Sequence, residues 1–199
     1  MRLILASQSP ARLSTLRRAG LAPEVVVSNV DEDTVTLTDA RELATTLARL
    51  KCEAVAAGVN DDDVVVVGCD SVLEVDGVPH GKPGSAEAAA ALWRRTSGRQ
   101  GTLVTGHHVV VRTAGTERSA TAAAETVVHF AELDEDEILA YAATGEPASV
   151  AGGFTIDGLG AAYITGVEGD HHNVVGISLP LLRRLLAGIG VRWHTLWRT

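Results

Sequence analysis

The chain has 199 residues, a formal net charge of −8 at pH 7 and a pI of about 5.3. It lacks a long basic run, which disfavours duplex nucleic acid as a partner, and its apolar runs are too short to predict a membrane span. Two cysteines, Cys52 and Cys69, are too few for a disulfide or metal framework. With 46% apolar residues and a short N-terminal apolar run, the sequence predicts one domain, residues 1–199, in the reducing cytoplasm.

The N-terminal segment predicts a strand that leads into a capped helix. Residues 3–6 are apolar, and the hydroxyl residues Ser7 and Ser9 follow them. Pro10 stands where the first helical residue belongs, and Arg12 lies in the first turn. Backbone N–H groups at a helix start, two hydroxyls and a guanidinium together favour an anion. An ordinary capped helix is the alternative, and this segment alone supports both interpretations equally.

The rest of the pattern predicts a mixed α/β architecture. Strands are expected at residues 24–28, 64–68, 103–112, 120–130 and 161–165. Helices are expected at 39–57, from 85 to near 98, from 134 to 145, and at 178–186. Ala114 and Gly115 predict a hairpin between the two long strands, and Asp76 with Gly77 predicts another tight turn. A hairpin requires antiparallel pairing, so we expect a mixed sheet.

Asp70 is the first candidate for catalysis. It follows the β-branched run 64–68, so we expect it in a loop at the carboxyl end of that strand, where ligands of α/β folds bind. Glu32 follows the second predicted strand between Asp31 and Asp33, and the residues alone do not choose among the three. Two carboxylates from such loops could hold Mg²⁺. The alternative for a lone aspartate is a loop residue that caps a turn.

Lys51 and Lys82 are the only lysines in the chain, against fifteen arginines. Lys82 lies between Gly81 and Pro83, in a rigid loop that suits a phosphate. Lys51 lies beside the apolar stripe of its predicted helix, where a snorkelling side chain is the alternative. No Walker sequence surrounds either lysine, and no nucleophile elbow is present, so a P-loop nucleotidase and a serine hydrolase are disfavoured.

Taken in order, several segments resemble the Maf family of nucleotide pyrophosphatases. They are residues 5–10, 30–32, 47–51, 68–71, 81–83, 97–98, 105–106, 151–154 and 175–176. The similarity extends from residue 3 to about residue 190. It implies a fold similar to that of inosine triphosphate pyrophosphatases, with a mixed sheet flanked by helices and a cleft between two lobes. It also implies cleavage of nucleoside triphosphates between the α and β phosphates, giving a monophosphate and pyrophosphate.

The resemblance also implies roles for individual residues. Asp70 matches the catalytic aspartate, described as a proton acceptor. Glu32 matches the glutamate on the metal side, so Glu32 and Asp70 are the expected ligands of a divalent cation, Mg²⁺ or Mn²⁺. The expected substrate-binding side chains are Ser7, Ser9, Arg12, Lys51, Ser71, Lys82 and Asp157.

The pyrimidine-preferring branch of the family differs from this chain at three positions. It has an arginine, a threonine and a glutamine where this chain has Ala11, Ser71 and Asp157. Glutamine both donates and accepts hydrogen bonds, whereas an ionised aspartate only accepts. We therefore expect a range broader than dTTP and UTP, or a preference for a base with a donor edge, such as a guanine-type or modified nucleotide.

Two other functional classes stay open at this stage. A monophosphatase or phosphotransferase would use Asp70 as a covalent nucleophile and would release orthophosphate or form a phosphoenzyme. A regulator of cell division would bind nucleotides without turnover. A second copy of the chain is a candidate partner beside the nucleotide.

Overall fold

A mixed seven-stranded sheet forms the centre of the structure, a computed structural model that describes residues 1–198. The strands are β1 (Arg2–Leu5), β2 (Glu24–Val25), β3 (Asp63–Val75), β4 (Val78–His80), β5 (Gln100–Thr113), β6 (Thr116–Phe130) and β7 (Ile164–Gly169). Their order is β2-β1-β3-β5-β6-β7, and β4 pairs with β3. Because β1 is parallel to β2 and β3 while the other pairs are antiparallel, the predicted mixed sheet is confirmed.

Helices pack on the sheet, and all but one of them begin at residues that the sequence indicated. They are α1 (Pro10–Arg18), α2 (Ala40–Ala57), α3 (Ala86–Thr96), α4 (Glu135–Ala143), α5 (His171–Val175) and α6 (Leu179–Gly188). The side chains of Ser9, Asp39, Ser85, Asp134 and Ser178 each accept a backbone N–H of the first turn. Such caps stabilise a helix by about 1 kcal/mol each. The short helix α5 was not predicted.

The predicted bounds of several strands were wrong, and β5 and β6 both begin earlier than expected. β3 continues beyond Gly68 to Val75, so Asp70 lies inside the strand and not in a loop at its end. β5 continues beside it and pairs Asp70 with Gly106, and this tertiary pairing outweighs the weak strand preference of glycine and aspartate. β2 covers only two residues. β7 starts later than residue 161, because residues 159–163 form a 3₁₀ turn.

Both predicted tight turns are present. Asp76 and Gly77 connect β3 to β4 with φ values of 54° and 76°, and Ala114 and Gly115 connect β5 to β6 with φ values of 49° and 71°. Positive φ at both central residues is the requirement of a type I′ turn. The second of these turns aligns the two longest strands of the sheet.

Two glycines allow α2 to lie directly on the sheet. A Cβ atom on Gly68 would lie 2.3 Å from the backbone O of Ala48, and a Cβ atom on Gly106 would lie 2.2 Å from the backbone O of Ala44. Larger residues at these positions would push the helix away. The close approach brings Lys51 of α2 down to the strands.

The opposite face of the sheet carries two hydrophobic clusters. One cluster, which includes Cys69, packs under α1 and α6, and the other, which includes Leu73, packs under α3 and α4. Alternate residues of a strand share a face, so Ser71 lies between the two clusters.

None of the helices within residues 1–198 has the length and apolar character needed to cross a membrane. Both cysteines are buried and unpaired.

Candidate active site

A buried ion pair lies at the centre of the candidate site. Lys51 Nζ lies 2.5 Å from Asp70 Oδ1 and 2.7 Å from Glu32 Oε1. Lys51 and Asp70 are each only 8% exposed, whereas the Glu32 side chain is 43% exposed. Glu32 reaches the lysine from the 3₁₀ turn Glu32–Thr34, which follows β2. The fold therefore joins three residues that the sequence predicted separately.

Burial sets the electrostatics of Asp70. Loss of solvent raises the pKa of its carboxyl, while the charges of Lys51 and Arg12 act in the opposite direction. Glu32 adds a further raising effect. A carboxylate of raised pKa accepts a proton more readily than an exposed one, which suits a general base.

The Glu32 and Asp70 carboxylates suit a hard divalent cation. Their oxygens contact the same lysine nitrogen, so they face one position. Within residues 1–198 no group of three or more His, Cys, Asp or Glu side chains could hold a metal ion. Mg²⁺ commonly takes one or two carboxylates and completes its shell with water and phosphate oxygens, so a pair of carboxylates is a sufficient donor set.

The Arg12 guanidinium is held in place by four hydrogen bonds. Nε donates to the backbone O of Gly176 at 2.7 Å, and Nη1 donates to Ser7 Oγ at 3.1 Å and to the backbone O of Cys69 at 2.9 Å. Nη2 donates to Ser71 Oγ at 3.0 Å. A guanidinium has five N–H groups, so one stays available. No carboxylate pairs with Arg12 within residues 1–198, which leaves a fixed cation for an anionic ligand.

Ser7 and Ser9 shape the loop around this cation. Ser9 Oγ accepts the backbone N–H of Arg12 at 3.3 Å and caps α1. Ser7 Oγ accepts the backbone N–H of Ser9 at 3.2 Å as well as the bond from Arg12. The two serines and the arginine of the predicted anion site thus lie together, and their contact with substrate stays a prediction.

Lys82 and Asp157 lie apart from this group. Lys82 is exposed in the loop after β4. The antiparallel pairing of His80 with Leu73 directs the chain back along β3 toward Ser71 as it enters this loop. Asp157 is exposed in the glycine-rich segment. In the part of the chain that the structure describes, no ion pair joins either residue to the ion-paired group around Lys51.

The sequence analysis missed Glu146, which fixes the glycine-rich segment. Its carboxylate accepts the Thr155 hydroxyl at 2.6 Å and the backbone N–H groups of Leu159 and Gly160 at 3.0 Å each. Desolvation acts to raise the pKa of Glu146, but these hydrogen bonds hold it below its usual value. Glu146 thereby sets the path of the loop that carries Asp157. A glutamate before a proline gave no sequence signal for this role.

His107 is a second residue whose role was missed. The ring is fully buried, and its Nε2 accepts the backbone N–H of Ser178 at 2.8 Å. Nδ1 therefore carries the proton and donates to the backbone O of Thr105 at 3.0 Å. Burial lowers the pKa of His107 to about 4, so the imidazole is neutral at pH 7. His107 joins β5 to the start of α6.

Known proteins are similar to this chain over nearly its whole length. The family model described as Maf-like protein matches residues 2–189. A protein of Streptomyces coelicolor named nucleoside triphosphate pyrophosphatase is 56% identical over 196 residues, which cover 98% of this chain and 94% of that protein. A Cutibacterium acnes protein of the same name is 51% identical over 199 residues, with 98% and 93% covered. The structure of the Staphylococcus aureus Ham1 protein covers 66% of this chain and 73% of its own, with a TM-score of 0.42 and 18% identity.

Proposed function

Because this chain belongs to the Maf family, we propose that it is a nucleoside triphosphate pyrophosphatase that forms a nucleoside monophosphate and pyrophosphate. The relatives from Streptomyces and Cutibacterium carry the name of this enzyme class, and they share half or more of their residues with nearly the whole chain. The observation that carries the proposal is the buried Lys51–Asp70 pair beside the fixed cation of Arg12.

Charge balance supports a triphosphate as the substrate. A nucleoside triphosphate carries roughly four negative charges at neutral pH. Arg12 has an unused N–H and no carboxylate partner within residues 1–198, and the start of α1 adds a helix N-terminus nearby. Lys51 and Lys82 supply two further charges in the proposed complex. Since the net charge of the chain is −8, a local group of cations favours a small polyanion over a long one such as duplex nucleic acid.

Asp70 is the proposed acceptor of the proton of the attacking water. Water attacks the α-phosphorus, the bond to the bridging oxygen breaks, and pyrophosphate leaves. Proton transfer to a placed carboxylate contributes about 10²–10⁴-fold to the rate, and fixed positive charges stabilise the phosphorane-like oxygens. Holding a metal ion is the alternative role for the same carboxylate, and the residues present support both.

Glu32 and Asp70 are the proposed ligands of a divalent cation. Such a cation, when bound, neutralises phosphate charge and acidifies water. Lys51 now contacts both carboxylates, so it competes with any cation at this position. A lysine side chain is a flexible point charge, and we propose that Lys51 turns to the phosphates when substrate arrives.

Asp157 is the proposed contact for the base. An ionised carboxylate repels carbonyl oxygens and accepts from N–H groups, which disfavours uracil and thymine as the preferred bases. Glu146 holds the loop of Asp157 in place, which supports a preformed pocket wall there. Association with a second copy of the chain stays a prediction.

A nucleotide panel tests this proposal. With Mg²⁺ or Mn²⁺ present, we expect equal amounts of monophosphate and pyrophosphate from dTTP, UTP, CTP, GTP or 7-methyl-GTP, and no turnover in EDTA. We expect kcat/KM for dTTP and UTP to exceed that of the best other nucleotide by less than about tenfold, a difference of roughly 1.4 kcal/mol. Separate assays for pyrophosphate and orthophosphate provide the readout.

Each contrary outcome of the panel identifies a different error. Orthophosphate with a nucleoside diphosphate would mean attack at the γ-phosphorus and another enzyme class. Tight nucleotide binding without turnover would indicate a regulator. A preference for dTTP and UTP above about tenfold over every other nucleotide would show that Asp157 does not read the base.

A further inference from the structure

A chain of hydrogen bonds runs from Arg12 into the interior of the sheet. Ser71 Oγ accepts from Arg12 Nη2 at 3.0 Å and lies 2.9 Å from Thr105 Oγ1. Ser71 and Thr105 are direct partners across β3 and β5. Thr105 Oγ1 also lies 3.2 Å from the backbone O of Asn173 in α5. Thr105 and Asn173 are fully buried, so neither side chain is open to a ligand.

The chemistry of the two ends fixes the direction of every bond in this chain. A guanidinium only donates and a backbone carbonyl only accepts. Each hydroxyl has one proton to donate. Thr105 therefore donates its hydrogen bond to the Asn173 carbonyl and accepts a hydrogen bond from the Ser71 hydroxyl. Aligned hydrogen bonds of this kind polarise and strengthen one another. The Ser71 hydrogen is therefore used by Thr105, and the lone pairs of the Ser71 oxygen accept the hydrogen bond from Arg12.

Asn173 fixes the other side of the same guanidinium. Its Nδ2 donates to the backbone O of Leu103 at 3.0 Å and to Thr126 Oγ1 at 3.2 Å, which holds α5 against β5 and β6. The backbone N–H of Gly176 donates to the Asn173 carbonyl at 2.9 Å, and the Gly176 carbonyl accepts from Arg12 Nε. Ser71, Thr105 and Asn173 thus form a polar layer, and this layer holds Arg12 at both Nε and Nη2.

We propose that Thr105 is a positioning residue for the hydrolytic reaction, because it fixes the Ser71 proton and thereby the orientation of the Arg12 guanidinium. The inference rests on the proposed function only for the identity of the anion that Arg12 binds. Thr105 itself does not contact the substrate. A small displacement of a charge that stabilises the reacting phosphates is sufficient to slow the reaction strongly.

Replacement of Thr105 by valine tests this role, since valine keeps the shape and removes the hydroxyl. We expect Thr105→Val to lower kcat/KM by about tenfold and to weaken pyrophosphate binding by a similar factor, measured by calorimetry. Thr105→Ser keeps the hydroxyl and loses a methyl group. We expect it to lower the melting temperature while leaving kcat/KM within about twofold of the wild type.

A double-mutant cycle with Arg12→Lys separates positioning from general packing. Lysine keeps the charge at position 12 but cannot make the bond to Ser71 with the same geometry. In that background we expect Thr105→Val to have no further effect on kcat/KM, because the bonded chain is already broken. Thr96→Val, which removes another buried threonine hydroxyl in α3, serves as the control and should leave kcat/KM unchanged.

If Thr105→Val lowered kcat/KM equally in the wild-type and Arg12→Lys backgrounds, the inference would be overturned. The same holds if a folded Thr105→Val protein kept wild-type kcat/KM and wild-type pyrophosphate affinity. These results are separate from the test of the proposed function, which is decided by wild-type turnover on the nucleotide panel. If the wild type shows no turnover, pyrophosphate affinity across the same cycle still decides whether Thr105 acts through Arg12.

Discussion

Asp70→Asn lowers kcat by at least about 100-fold in the proposed mechanism, in line with the usual contribution of a general base. Asparagine has the size of aspartate but neither accepts the water proton nor carries charge for a metal ion. Asp70 lies inside β3 and is 8% exposed, so the substitution also removes one partner of a buried ion pair. Lys51 keeps its contact with Glu32, which limits the loss of stability. Steady-state kinetics together with thermal unfolding measure the two effects.

Asp76→Asn provides the matched control, at the turn that directly follows the same strand. Asp76 lies at the turn after β3 and pairs with Arg99 at the surface. An exposed ion pair contributes only about 0–1 kcal/mol, and asparagine accepts the positive φ of this position. We expect wild-type kcat for this control. A folded Asp70→Asn protein with kcat within about tenfold of the wild type would contradict the role of Asp70.

Lys51→Met is expected to have the second large effect: it lowers kcat/KM and raises the affinity for a divalent metal ion. Loss of the ammonium removes a phosphate-binding charge, so we expect kcat/KM to fall by about 100-fold or more. The same change leaves Glu32 and Asp70 facing one another without a cation. Two unpaired carboxylates attract a divalent ion, so we expect Mn²⁺ to bind the nucleotide-free variant at least about tenfold more tightly than the wild type. Electron paramagnetic resonance of free Mn²⁺ during a titration measures this affinity.

Arg49→Met is the control for Lys51→Met. Arg49 lies on the same helix and pairs with Glu53 at the surface. Its replacement should leave both kcat/KM and Mn²⁺ affinity at wild-type values. Unchanged or weaker Mn²⁺ binding by Lys51→Met would show that Lys51 does not compete with the cation for the two carboxylates.

Local signals in the sequence were sufficient to predict helix starts and tight turns. Ser9, Asp39 and Asp134 cap helices through bonds to residues three positions away, so a short segment contains the whole interaction. The turn at Ala114 and Gly115 depends on two residues with positive φ, which is again a local property. These signals predicted the existence of β5, β6 and most helices, although both strands begin earlier than predicted.

The environment of Asp70 could not be predicted from local sequence. Glycine at position 68 reads as the end of a strand, but it is the point where α2 packs on the sheet. The strand goes on because β5 continues beside it and pairs Gly106 with Asp70, and nothing within the segment shows this pairing. The ion pair of Lys51 with Asp70 follows from this packing between distant elements.

The polar layer around Arg12 is also a tertiary feature. Its bonds join α1, β3, β5 and α5, whose residues are separated by up to 164 positions in the chain. The Ser71 hydroxyl accepts from Arg12 and lies against Thr105, contacts that no local pattern indicates, and its contact with substrate stays a prediction. Glu146 likewise acts on residues that are 9 to 14 positions away, through the Thr155 hydroxyl and through backbone N–H groups that carry no sequence signal.

Hydrolysis in ¹⁸O-labelled water identifies the phosphorus atom that water attacks. With attack on the α-phosphorus, we expect the label in the nucleoside monophosphate and none in pyrophosphate, as measured by mass spectrometry of both products. Label in pyrophosphate would show attack at the β-phosphorus, and labelled orthophosphate would show attack at the γ-phosphorus. Either result would contradict the reaction proposed for Asp70 and the cations around it.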